Sequence, residues 1–222
     1  MGVFRVFDKR YILGRTNAYQ EGVTARVFRA FDHLDEEAER LKQDLWDNAM
    51  SQPGDGSEDP SAIADHVTDQ AVDFLITMEW LRQQTINNAT AGLYHLWEKD
   101  LKAFLVGTVV KYGGANLKKL LRADFETLVK ILDKYEFDFE SQPFYRLIAD
   151  LLLVSNSVKH GPGDSLFELI ARRPDLFRKN TLTGEIDPDI ENLEITEEKF
   201  NDFAQGIVEF WEAFDITLKP VS

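Results

Sequence analysis

Apolar residues recur along the chain at steps of three and four, the period of helices that bury one face, and strand-like alternation is nearly absent. The pattern predicts an all-α bundle of long helices. Residues 17–50 read as the first helix, with Val23, Val27, Phe31, Leu34, Ala38, Leu41 and Leu45 in phase. A Pro- and Gly-rich stretch, 51–61, breaks it, and Pro60 suits a new helix start. Helical phase then persists from Ser61 to about Val110. Such a span fits two helices or one helix kinked at Asn87–Gly92, with 111–116 as the stop. A shorter helix over 117–135 and a link over 136–142 follow.

The segment from Pro143 to His160 is the best-marked helix. Pro143 sits at its first turn, Leu147 to Val154 form an apolar body, and Gly161 and Pro162 stand just past its end. Apolar side chains on nearly every side predict burial at the bundle centre. Asp164 or Ser165 is placed to cap a short helix running to Arg172, which Pro174 breaks. Residues 180–195 are turn-rich, with a short extended piece near Leu193. Thr196 caps a final helix whose Phe200, Phe203, Ile207, Phe210, Trp211 and Phe214 share one face. The organisation read from this pattern is an N-terminal helical extension and loop over 1–60 and a bundle over 61–222, together one compact domain.

Composition narrows the function classes. With 39 acidic and 25 basic residues the formal charge is −14, which argues against broad binding to duplex DNA. At 44% hydrophobic and 12% aromatic, the chain is too apolar for a disordered acidic tail. Cysteine is absent, which removes disulfides, thiolate nucleophiles and Cys-ligated metal sites together. No run reaches the roughly 18 apolar residues of a membrane span, and the start lacks a leader-like apolar run, so a cytoplasmic protein without a membrane partner is expected. The acidity is local: residues 32–73 hold thirteen acids and two bases, and 185–215 hold eleven acids and one base. The remainder sums to +7, with five bases and no acid between Lys102 and Arg122. Convergence of those bases on His160 would make a small basic site inside an acidic protein.

No phosphate loop, dinucleotide fingerprint, nucleophile elbow, paired Glu-x-x-His or His-Glu-x-x-His occurs. Asp65, Asp69 and Asp73 share a helix face with His66 close by, a set of oxygens suited to a hard cation. Acids after Pro60 also favour a helix N-terminus and solvate its face, and no second carboxylate helix accompanies them, so neither metal nor cofactor is expected. The remaining chemistry lies in Ser155-Asn156-Ser157-Val158-Lys159-His160-Gly161. On a helix, Arg146, Asp150, Ser157 and His160 fall within about one third of the circumference. Buried polar side chains need partners, so this stripe predicts a network, a cleft or another subunit. His160 can take and give a proton, and Lys159 can neutralise a phosphate. Both residues also suit a plain helix C-terminus, which favours cations.

Asn156 to His160, on the last turns of a buried helix, resembles the motif of HEPN domains, helical domains of toxin–antitoxin, abortive-infection and CRISPR-associated ribonucleases. Their pattern is Arg, a polar residue, three residues, then His. Asn156 matches the polar position and His160 the histidine, while Ser155 stands at the arginine position. The block Leu152 to Phe177 is similar to one in bacterial helical proteins of this kind. The resemblance implies a homodimer in which two motifs meet, a place in phage defence or a toxin–antitoxin pair, and metal-independent endoribonuclease chemistry through the RNA 2′-hydroxyl. It assigns His160 to acid/base work and Asn156 to orienting it, with Lys159, Arg146, Arg172 and Arg173 as RNA contacts. Losing the arginine that stabilises phosphorane charge costs about 100-fold or more, so RNA binding with weak or no cleavage is the expectation. Arg146, Lys159 or Arg172 would have to substitute in space. The alternative is a non-enzymatic helical module that binds a cognate protein or dimerises, with the polar stripe specifying packing.

Overall fold

The computed structural model describes residues 9–51, 59–107 and 117–214, and within them the periodic segments are α-helices. In chain order these are α1 (Lys9–Gly22), α2 (Leu34–Ser51), α3 (Pro60–Leu105), α4 (Leu117–Leu121), α5 (Phe125–Lys134), α6 (Tyr145–His160), α7 (Asp164–Arg172) and α8 (Glu197–Ala213). Extended pairing among the described residues is one antiparallel bridge between Phe177 and Leu193, which is the short piece expected near Leu193. The Arg178 amide donates to the Asn192 carbonyl at 2.8 Å, and the Glu194 amide to the Leu176 carbonyl at 2.7 Å. The all-α expectation holds.

Several boundaries differ from the sequence reading. The segment 17–50 is not one helix: α1 passes into a π-helical turn, Val23–Phe28, then a 3₁₀ turn, Arg29–Phe31, before α2. Burial there steps by five and six, at Val23, Phe28 and Leu34, a spacing a regular α-helix cannot place on one face. Conversely, α3 is one continuous helix through Asn87–Gly92 and not two. The small residues there serve packing. A Cβ on Gly92 would meet the Tyr19 hydroxyl, which donates to the Ala89 carbonyl at 2.7 Å, and the buried Asn87 amide donates to the Leu193 carbonyl at 2.9 Å. The stop expected at 111–116 lies outside the described residues. The expected helix over 117–135 is two, because the Asp124 carboxylate accepts from the Thr127 amide at 2.9 Å and starts α5 afresh.

Other ends follow the chain's own signals. Asp59 caps α3 by accepting from the Ser61 amide at 2.9 Å, leaving Pro60 at the first helical position. The Thr196 hydroxyl accepts from the Lys199 amide and opens α8. Gly161 ends α6 at φ 71°, its amide donating to the Ser157 carbonyl at 2.9 Å.

The chain divides into two compact units, Met1–Val23 with Asn87–Ser222, and Thr24–Ile86. These boundaries fall at 23/24 and 86/87. The first unit holds an aromatic core in which Phe139 and Trp97 pack on Phe210 with centroids 5.2 and 5.4 Å apart, and Phe137 packs on Phe214 at 5.2 Å. Edge-to-face pairs at such spacing add about 0.5–1.5 kcal/mol each beyond burial. In the second unit, Phe28, Leu34, Ala38, Val67, Ala71 and Ile86 are buried.

Candidate functional site

Helix α6 forms because a buried apolar body is closed by Gly161, and its burial matches the sequence expectation: Ile148, Leu151, Leu153 and Val154 are all in the core. Its amphipathic remainder lines an open groove of about 520 Å³ within the first unit. Tyr145, Ala149, Leu152, Asn156 and Lys159, spaced by four and three, form one wall. Tyr94, His95 and Glu98 of α3 form another, with Asp124, Phe125 and Glu126 at the start of α5 and Glu168 and Arg172 of α7 completing it.

The structure brings Asn156, Lys159 and Arg172 to this groove. His160 is not among its lining residues: it is the exposed last residue of α6, one turn beyond Asn156. Arg146 is exposed and also outside the lining. The four residues of the anticipated stripe therefore part company. Asp150 faces a network, Ser157 is fully buried with its hydroxyl unpartnered, and Arg146 and His160 meet solvent.

Ser155, at the position the motif gives to arginine, is 1% exposed, and its Oγ lies 3.2 Å from His95 Nε2. A hydroxyl so enclosed cannot reach a substrate, so this pair orients the His95 imidazole at the groove edge. His95 and Glu98 give the Glu-x-x-His pattern only in reverse and once, and the Ser155 partner of His95 lies 60 residues away. The spacing of His95 and Glu98, three apart on one helix, was the available signal.

The arginines of α7 and its end are engaged internally. Arg172 lies 3.7 Å from Asp150 and pairs with Glu168, while Arg173 lies 3.5 Å from Asp150. Arg173 also grips Asp175 with two bonds of 2.9 Å, from Nε and Nη2, and stacks over Phe203 at 5.7 Å. Lys199 of α8 reaches Asp175 at 3.0 Å. These contacts tie α6, α7 and α8 together. Burial raises the Asp150 carboxyl above its ordinary value, an effect that Arg173 and Arg172 partly offset. Hydrogen bonds from Arg173, joined by those from Lys199, hold Asp175 well below the usual carboxylate range. At the groove itself, burial, joined by the nearby Glu98 and Asp124 carboxylates, pushes the Tyr94 phenol far up.

The electrostatics of the groove follow from its lining. Glu98, Asp124, Glu126 and Glu168 outnumber Lys159 and Arg172. Glu98 is itself paired with Lys102 at 2.9 Å. Of the other bases between 102 and 122, Lys118, Lys119 and Arg122 are exposed and do not line the groove, and Lys111 lies outside the described residues. The acidic face carrying Asp65, Asp69 and Asp73 belongs to the second unit, and all three are exposed there with His66, which bonds Gln70 at 2.9 Å. Among the described residues, no group of three or more His, Asp or Glu side chains is arranged to hold a metal ion. No described helix is long and apolar enough to cross a membrane. No family model, curated protein or solved structure matches the chain.

Proposed function

We propose that the chain is a HEPN-like helical interaction module without catalytic turnover, whose groove beside α6 holds a cognate protein. The observation that carries this reading is the engagement of Arg172 and Arg173, two of the three candidate arginines, by Asp150, since a guanidinium already paired with a buried carboxylate gains less from a phosphate. Ser155 adds to it, being buried at the position where phosphorane stabilisation would originate. The mixed-charge lining with excess carboxylate suits a protein surface of patterned charge better than a polyanion. In the phage-defence or toxin–antitoxin setting that the resemblance implies, such a cytoplasmic module acts by holding a partner or a second copy.

One observation favours the RNA reading: His160 is exposed at the helix end, with Lys159 beside it at the groove. An anisotropy titration with single-stranded RNA at low salt separates the two. The interaction module shows no saturable binding; saturable binding weakened by Lys159→Ala and His160→Ala would replace it with an RNA-binding protein.

A further inference from the structure

The N-terminal half of α3 carries a feature that the groove does not use. Val72, Ile76 and Trp80 are 47%, 64% and 52% exposed, and they follow one another at four-residue steps. At 100° per residue they share an arc of about 100° with Asp65, Asp69 and Asp73. One helix face therefore passes from carboxylates at its N-terminal half to large apolar side chains at its C-terminal half over about 22 Å. Exposed tryptophan and isoleucine in line on a rigid helix are unusual for a solvated face, and aromatic anchors of this kind dominate recognition surfaces. The unit that bears them, Thr24–Ile86, holds fourteen acids against five bases, a net charge of −9.

We infer that this face of α3 docks a basic amphipathic helix of a partner protein, with apolar anchors at four-residue steps and lysines or arginines flanking them. The choice of occupant rests on charge. A second copy set on the same face would bring together two units that each carry a net charge of −9. Nucleic acid would meet the same repulsion and would find no facing base on this stripe. A cationic helix matches both elements at once: its apolar side chains cover Val72, Ile76 and Trp80, and its cations reach the three carboxylates. The site lies on the second unit and stands whether or not the groove reading holds.

The test uses the full-length protein and a synthetic helix about 15 residues long, with leucines at four-residue steps flanked by lysines, beside its glutamate counterpart. The lysine peptide binds saturably, the glutamate peptide does not, and rising salt weakens the complex. Ile76→Gln with Trp80→Gln lowers affinity about ten-fold, since two of the three anchors are removed. The triple variant Asp65→Asn, Asp69→Asn, Asp73→Asn lowers it about three-fold and flattens the salt dependence; it keeps all three anchors and decides the matter should the first variant fold poorly. Equal binding of both peptides, or lysine-peptide binding indifferent to both variants, overturns the inference. So does a dimer in sedimentation equilibrium that Ile76→Gln dissolves, which would assign the face to a second copy, or RNA binding lost in the anchor variant.

Discussion

At the scale of single residues, the departure of Ser155 from the motif has a physical consequence. Its side chain is buried and meets His95, so an arginine there would have to displace packed neighbours and carry a charge into a site that now holds a small hydroxyl. Ser155→Arg is expected to destabilise the protein by about 3 kcal/mol or more, seen as a lowered urea midpoint, and to confer no ribonuclease activity. Asp175 gives a pH signature. Its folded-state value is depressed, so its contribution is complete above the ordinary carboxylate range and lost as pH falls through that range toward the depressed value. The side chain is 43% exposed, which limits the effect to about 1 kcal/mol. Thermal melts should find wild type more stable than Asp175→Asn at pH 7, with the difference shrinking by pH 3.

Elements show where the sequence was legible. The end of α6 at Gly161, the cap at Thr196 and the aromatic face of α8 were readable because each depends on neighbours in sequence. The π turn after α1 was not, since no Gly or Pro marks it beyond Gly22 and only burial forces the wider step. Gly92 has a tertiary role that its sequence neighbours do not reveal: it makes room for Tyr19. Two substitutions test the element-level packing. Glu136 sits at φ 63° after α5, its amide bonding the Asp133 carbonyl at 2.9 Å while the Phe137 amide bonds Leu132 at 3.1 Å. That is the glycine position of a Schellman turn, so Glu136→Gly should raise stability by about 1 kcal/mol in chemical denaturation. Gly206 of α8 lies where an added Cβ would stand 3.1 Å from Leu147 Cβ of α6. Gly206→Ala should cost about 1–3 kcal/mol through overpacking, read from the same unfolding curves.

At the scale of the whole chain, the candidate site was legible in part. Asn156 and Lys159 could be set on α6 from spacing alone, and both line the groove. The partners that decide what the site can do, His95 for Ser155 and Asp150 for Arg172 and Arg173, come from across helix contacts that no local pattern encodes. The net charge of −14 likewise concealed its placement: four carboxylates stand at the groove, and three line the exposed face of α3. The proposed recognition without turnover at the motif helix is tested by incubating the purified protein with total RNA at low salt, beside His160→Ala, and resolving the products. The expected result is intact RNA in both. Fragments ending in 2′,3′-cyclic phosphate that accumulate with wild type and vanish with His160→Ala would contradict it.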